Sequence, residues 1–155
     1  MDLNQHARHL GSLVANFQTL EFLLRAFLQQ LPGARPLGIP QGQDIYSSPV
    51  GSELHESELT SYESLGQLID KYNDEAERRA SPKIDRTLVD VRDALAHGRV
   101  SAEAPNTDLR LLKFDKPMNG RVKVVFNEVL SEHWFSLQKR RVLDAILAVH
   151  NSMHV

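Results

Sequence analysis

The sequence contains no cysteine, which excludes disulfide bonds and thiol chemistry. It also has no apolar run near the roughly 20 residues that a membrane-spanning helix needs. The first ten residues, MDLNQHARHL, lack the basic-then-apolar pattern of a secretory signal. We therefore expect a soluble, cytoplasmic protein with no membrane partner. Aromatic residues make up only 6% of the chain, so few side chains could stack on nucleic-acid bases.

What is present is the composition of an ordinary globular protein. The chain has 155 residues, of which 41% are hydrophobic and 25% charged. That length supports a hydrophobic core without a metal ion or a disulfide to hold it together. We predict a single domain over residues 1–155, with no cofactor and no metal site.

Charge is unevenly distributed, although the net charge is only -2. Between residues 53 and 77 Lys71 is the one base among eight acids, which are Glu53, Glu56, Glu58, Glu63, Asp70, Asp74, Glu75 and Glu77. Between residues 110 and 123 Asp115 is the one acid among five bases, which are Arg110, Lys113, Lys116, Arg121 and Lys123. An anionic partner would meet the second segment. Alternatively, its lysines protect the edge of an exposed strand pair.

Apolar residues recur at helical spacing in four segments. They predict helices over residues 3–31 and 58–79, a third from Ser81-Pro82 to residue 97, and a last one over 131–150. Ser81 would be the N-cap and Pro82 the first helical residue, while Gly98 would form a left-handed C-cap. The Tyr62 side chain is predicted on the buried face of the second helix.

The two remaining segments are not helical. Residues 32–57 hold four of the seven prolines and four of the eight glycines, which predicts a long loop. Residues 109–126 contain two apolar runs around Asn119-Gly120, a strong turn signal, which predicts a β-hairpin. The predicted fold is therefore mainly all-α: a four-helix antiparallel bundle with a β-hairpin inserted before the last helix.

One carboxylate falls where the apolar stripe of the first helix predicts a hydrophobic residue. Glu21 needs a partner there, because burying an unpaired charge is costly. Arg25, four residues on, could pair with it inside the helix. The alternative is a pair with an arginine of another helix, and Arg92 is the candidate.

The stretch VRDALAHGRV concentrates polar chemistry at the end of the third helix. Asp93 and His97 are four residues apart, so the carboxylate could hydrogen-bond the imidazole and favour its protonated form. Arg92 and His97 are five apart, about 140° around the axis, and could flank one groove if the last turn unwinds at Gly98. The alternative is a surface pair beside an arginine whose stem lies along the core.

Arg92-Asp93-Ala94-Leu95-Ala96-His97 resembles the R-x4-H motif of the HEPN superfamily. The predicted order of elements agrees, with a long first helix, an irregular loop, two helices with the motif at the end of the third, and a fourth helix. The resemblance covers most of the chain in topology and about seven residues in motif. It implies an all-α bundle that dimerises through the motif region. Many members are metal-independent ribonucleases of toxin–antitoxin, abortive-infection or RNA-processing systems, and others are non-catalytic binding modules.

The resemblance implies a role for each motif residue. His97 would be the acid/base group, Arg92 would hold the scissile phosphate, and Asp93 would orient His97. Two chains would supply the two histidines that metal-free RNA cleavage requires, so a homodimer is expected. Substrate RNA would be held through its backbone by four cations, namely Arg110, Lys113, Arg121 and Lys123. The alternative is a module that binds RNA, a nucleotide or a protein partner, such as an antitoxin, without turnover.

Other histidines carry a weaker signal. His6-x-x-His9 and His150-x3-His154 have helical spacing that suits a metal ion, yet neither pair has a carboxylate or cysteine nearby in sequence. We predict that both pairs are surface residues.

Overall fold

The computed structural model of the protein describes residues 1–39, 44–102 and 108–154. This part is mainly helical, with a small antiparallel sheet before the last helix, as the sequence predicts. The elements in chain order are α1 (Leu3–Gln29), α2 (Leu65–Arg78), α3 (Leu88–His97), β1 (Arg99–Ser101), β2 (Arg110–Phe114), β3 (Val124–Val129) and α4 (Glu132–Ser152). In its described part the predicted loop contains a single 3-10 turn, Ile45–Ser47, while residues 40–43 lie outside the described ranges.

The chain divides into two compact units, and α1 and α4 each contribute to both. The first comprises Met1–Leu20 and Asp85–Leu147, and the second Glu21–Ile84 and Ala148–Val155. Buried apolar residues of the first unit are Leu13, Phe17, Leu20, Leu88, Val91, Ala94, Leu111, Leu130, Trp134, Phe135, Val142 and Ala145. Those of the second are Leu24, Phe27, Leu28, Leu65, Leu68, Ile69, Tyr72, Ala76, Ile84 and Val149. Among the described helices, none has the length and apolar character to span a membrane.

The predicted hairpin is confirmed and is part of a three-stranded antiparallel sheet in the order β1-β2-β3. Asn119 and Gly120 both have positive φ, 52° and 73°, as a two-residue type I′ turn requires. Strand β1 was not predicted. It is only three residues long and starts directly after the glycine that ends α3.

Helix α1 agrees with its predicted range, but its apolar residues are not evenly buried. Leu13 and Leu20 are fully buried, whereas Leu3 and Val14 are 76% and 39% exposed. Arg25 makes contacts that the apolar spacing did not predict. Its guanidinium donates to the carbonyl oxygens of two residues ahead of α2, at 2.7–2.8 Å, and to a serine hydroxyl there, so it holds that segment through backbone groups.

The predicted start of α2 at residue 58 is wrong by seven residues. The helix begins at Leu65 because Ser64 and Gln67 form a capping box, each side chain bonding to the backbone N–H of the other residue. Tyr62 therefore precedes the helix and its side chain is fully exposed, contrary to the prediction.

The predicted start of α3 at Ser81-Pro82 is also wrong. Asn73 of α2 exchanges two hydrogen bonds with the backbone of Ile84, and the Tyr72 hydroxyl donates to the Pro82 carbonyl at 3.1 Å. These bonds hold residues 82–84 in a non-helical conformation. The helix starts only at Leu88, after a turn in which Asp85 accepts the N–H and hydroxyl of Thr87.

Asp85 also connects this turn to α4, which gives a testable contribution to stability. Arg141 Nη2 donates to its second carboxylate oxygen at 2.7 Å. The Thr87 hydroxyl, then Arg141 and the Thr87 N–H, lower the pKa of Asp85. The carboxylate therefore stabilises the fold above about pH 4, the pKa of an unfolded aspartate, and that stabilisation is lost as the pH falls through the folded-state pKa.

We expect Asp85→Asn to lower the free energy of unfolding at pH 7 by about 0.5–1 kcal/mol. The effect is modest because the Asp85 side chain is 56% exposed and its ion pair is screened by solvent. Urea titrations at pH 7 and pH 3 measure it, and the difference from the parent should be smaller at pH 3. Asp144→Asn, at an exposed position of α4, is the control. Equal stability of Asp85→Asn and parent at pH 7 would contradict a stabilising role of the Asp85 carboxylate.

Candidate functional site at the end of helix α3

The last turns of α3 place the three motif residues at different depths. Val91 and Ala94 are buried and fix the helix in the first unit, so their neighbours Arg92 and Asp93 are half-exposed and His97 is exposed. Arg92 and His97 are about 140° apart around the helix. They do not stack on each other, and a ligand that touched both would lie across the end of the helix.

Asp93 is the connecting residue of this cluster. Its Oδ1 lies 3.2 Å from Arg92 Nη1, and its Oδ2 lies 3.7 Å from Lys113 Nζ on β2. The predicted bond from Asp93 to His97 does not form among the described residues, since the two carboxylate oxygens lie beside Arg92 and Lys113 instead. The carboxylate therefore joins two cations from two elements.

Gly98 allows the sheet to approach the end of the helix. Its φ of -75° and ψ of 173° are extended, so the predicted left-handed C-cap is wrong. The glycine is needed for space: a Cβ there would lie 2.5 Å from Leu111 Cδ1, 3.0 Å from the Leu112 carbonyl oxygen, and nearer still to the Ala94 carbonyl oxygen. Close approach of β2 is what puts Lys113 beside Asp93.

The four predicted RNA-backbone contacts divide into two places. Lys113 belongs to the motif cluster, and Arg110 Nη1 donates to Asn127 Oδ1 at 2.8 Å across the sheet. Arg121 and Lys123 line a pocket of about 510 Å³ at the hairpin tip, together with Asp115, Lys116, Met118, Asn119 and Val122. All of these residues belong to the first unit.

A contact that sequence reasoning missed lies on the sheet. The Arg99 guanidinium carbon is 5.1 Å from the centroid of the Phe114 ring, in the range of a cation–π interaction. Because β1 was not predicted, the predicted elements did not place these residues on neighbouring strands. The alternating pattern Arg99-Val100-Ser101, read as a strand, is the signal that could have indicated it.

The two N-terminal histidines contact α4 within the first unit. His9 stacks on Phe135 at 5.4 Å, and its Nδ1 lies 3.0 Å from Lys139 Nζ, which as an ammonium donates to it. His6 meets the same ring edge-on at 5.5 Å, and its buried Nδ1 has no hydrogen-bond partner in the described part of the chain. The prediction that this pair lies on the surface is therefore corrected, because both rings are partly buried.

His6 makes the fold sensitive to acid. Burial, and secondarily the nearby His9, lowers the pKa of His6. The unfolded chain then binds a proton more readily than the folded one, so stability falls as the pH drops below about 6.5, the pKa of an unfolded histidine. We expect the unfolding midpoint of His6→Leu to fall less than that of the parent between pH 7.5 and pH 5.5. His133→Leu, on the exposed face of α4, is the control. If the unfolding midpoints of His6→Leu and parent fell equally between pH 7.5 and pH 5.5, the role of His6 in acid sensitivity would be refuted.

The acidic segment is largely neutralised within the second unit. Lys71 Nζ lies 2.7 Å from Glu63 and 3.5 Å from Glu58. The bond to Lys71 lowers the pKa of Glu63, and the bond to Glu63 raises the pKa of Lys71. Glu75 pairs with two arginines of the same helix region. The many acidic residues of this segment are therefore explained by ion pairs around α2.

Neither a cluster of metal-binding side chains in the described part of the chain nor a similar protein bears on this site. Within residues 1–39, 44–102 and 108–154, no group of three or more His, Cys, Asp and Glu could hold a metal ion. Comparison with protein-family models, curated proteins and solved structures finds no match to this chain.

Proposed function

We propose that the protein is a HEPN-like four-helix antiparallel bundle that acts, as a homodimer, as a metal-independent endoribonuclease. The observation that carries this proposal is the end of α3. There the motif supplies an exposed imidazole and, five residues earlier, a guanidinium that pairs with Asp93, whose other carboxylate oxygen lies 3.7 Å from Lys113 Nζ. The neighbouring sheet is rich in cations, as a site for a phosphate polymer requires.

The residues suit a transesterification within the RNA strand. The 2′-hydroxyl attacks the adjacent phosphorus, a 2′,3′-cyclic phosphate forms, and the bond to the 5′-oxygen breaks. A neutral His97 takes the hydroxyl proton, and a protonated His97 gives a proton to the leaving oxygen. Arg92 binds the charge that gathers on the phosphate oxygens, for which its planar set of donors is well suited.

The need for two histidines is why we include a homodimer in the proposal. One chain offers a single His97 at this site, and a two-fold axis at the end of α3 would bring a second one to the same cleft. In this arrangement Asp93 positions Arg92, which differs from the role that the motif alone implies. The pair between Glu21 and Arg92 stays a prediction.

The experiment is cleavage of a defined RNA by the purified protein in excess EDTA. The proposal expects endonucleolytic products with 2′,3′-cyclic phosphate ends, and the same rate with and without EDTA. Products with other ends, or activity that EDTA removes, would contradict it.

A binding module without turnover is the second candidate. The contact that favours it is the Arg92–Asp93 pair, because a carboxylate 3.2 Å from the guanidinium partly neutralises the charge that a phosphate would meet. This reading expects RNA, a nucleotide or a protein such as an antitoxin to bind at the same cleft. Arg92→Ala would weaken that binding, and no preparation would cleave RNA.

A further inference from the structure

The two faces of the sheet differ in what covers them. Leu111 and Lys113 of β2 point towards α3, since Leu111 is buried against the Gly98 region and Lys113 pairs with Asp93. Side chains alternate along a strand, and directly opposed residues share a face. The register of β2 and β3 shifts between Lys113 and Phe114, so Val124 is assigned by its pairing with Phe114. The opposite side, here called the outer sheet face, therefore carries Arg99, Ser101, Arg110, Leu112, Phe114, Val124, Asn127 and Val129.

The outer sheet face is open to solvent. Val124 and Val129 are 55% and 38% exposed, Arg99 is exposed, and Phe114 is half-exposed. The bond between Arg110 and Asn127 confirms that alternate residues of β2 and β3 meet on this side. Val124 and Val129 thus place exposed aliphatic side chains beside an accessible aromatic ring, and contiguous apolar surface of this kind can mark a binding site.

The charges on this face select an anionic ligand. It carries two arginines and, among its eight residues, no carboxylate. The basic hairpin tip, with Lys116, Arg121 and Lys123, continues from the same two strands. A flat ring with a guanidinium over it is also a surface on which a nucleic-acid base can stack, and stacking of this kind tolerates any base sequence.

The size of the face fits a short single strand. Arg110 and Phe114 are four residues apart on β2, about 13 Å at roughly 3.3 Å per residue. Sheets that bind RNA typically stack two or three unpaired bases over such a length, whereas a duplex hides its bases and offers only its backbone.

We propose that the outer sheet face binds single-stranded RNA. One base stacks on the Arg99–Phe114 pair, and the flanking phosphates contact Arg110 and the basic hairpin tip. The choice of RNA rests on the proposed function, while the location rests on the sheet itself.

Binding is measured by fluorescence anisotropy with a labelled 12-nucleotide single-stranded RNA, using full-length His97→Ala protein to prevent turnover. Phe114→Leu and Arg99→Gln are expected to weaken binding about tenfold each, as loss of a stacking partner does. Phe114→Tyr keeps the ring and should bind as the parent does. Phe22→Leu, at a 44% exposed aromatic of the second unit, is the matched control. Circular dichroism and sedimentation verify fold and oligomeric state.

Three results would overturn the inference. The first is unchanged affinity in both Phe114→Leu and Arg99→Gln, and the second is equal affinity for single-stranded DNA. The third is a change of oligomeric state in these variants, which would assign the face to a second copy of the chain. Failure of the proposed function is distinct from all three: binding that depends on Phe114, with no cleavage by the wild-type protein, would refute the nuclease and leave the RNA-binding face.

Discussion

Replacing Arg92 or His97 with alanine is expected to lower the rate of RNA cleavage by about a hundredfold to ten-thousandfold. Removal of a general acid/base costs on this scale, and so does removal of a donor that binds developing charge. The exposed position of His97 means that its loss should leave stability almost unchanged. The effect on the rate can therefore be assigned to chemistry once thermal unfolding of the variant matches that of the parent.

Matched variants distinguish the loss of a catalytic group from a contaminating activity and from the loss of a positive charge. His133→Ala removes an exposed histidine of α4 and should cleave at the parental rate. Arg92→Lys keeps the charge but loses the planar pair of donors, so its rate should fall between those of Arg92→Ala and the parent. If parent and His97→Ala preparations cleaved equally fast, the activity would belong to a contaminating nuclease and the assignment of His97 would fail.

The largest expected effect on stability comes from Gly98→Ala. The added Cβ would overlap the Ala94 carbonyl oxygen and the Leu111 side chain, both of them held inside the first unit. Overpacking of this kind costs about 3 kcal/mol, since backbone atoms cannot move aside as a flexible side chain can. We expect the unfolding midpoint to fall by roughly 6–12 °C, measured by differential scanning calorimetry.

Gly11→Ala is the matched control for this prediction. Gly11 lies within α1, and a Cβ there would meet nothing within 4 Å. Alanine at an exposed helical position should stabilise the protein by about 0.5–1 kcal/mol relative to glycine. The same substitution is therefore expected to lower the stability of the protein at Gly98 and to raise it at Gly11. A neutral Gly98→Ala would show that β2 does not pack against the end of α3 as described.

Periodicity and turn chemistry predicted the long elements well. The ranges of α1 and α4 agree with the apolar spacing to within two residues at each end, because long amphipathic segments carry many repeats of the pattern. The hairpin followed from Asn119-Gly120, since few other pairs adopt positive φ at both positions.

The starts of the two middle helices were wrong for different physical reasons. The capping box of Ser64 and Gln67 is a local signal that could have been read from the sequence, and it overrides the apolar spacing that continues upstream. The delay of α3 to Leu88 depends on Asn73 binding the backbone of Ile84. That contact joins residues eleven apart, and no local pattern encodes it.

In the candidate site, too, some features could be predicted from the local sequence and others depend on packing between elements. The motif residues Arg92, Asp93 and His97 all lie in the last turns of α3, but the partner of Asp93 could not be deduced from helical spacing. Lys113 is twenty residues away and reaches Asp93 only because Gly98 lets β2 approach the helix. Spacing within a helix gives possible pairs, and packing between elements selects among them.

Subunit mixing tests the central claim, a catalytic cleft shared by His97 of two chains, most directly. Wild-type and His97→Ala chains are mixed in equal amounts, exchanged to equilibrium, and assayed for RNA cleavage in EDTA at constant total concentration. If each cleft needs both histidines, only about one quarter of the dimers are active, and the rate should fall to about one quarter of that of wild type. A rate of about one half would mean that each chain works with its own histidine, and the shared cleft would be wrong.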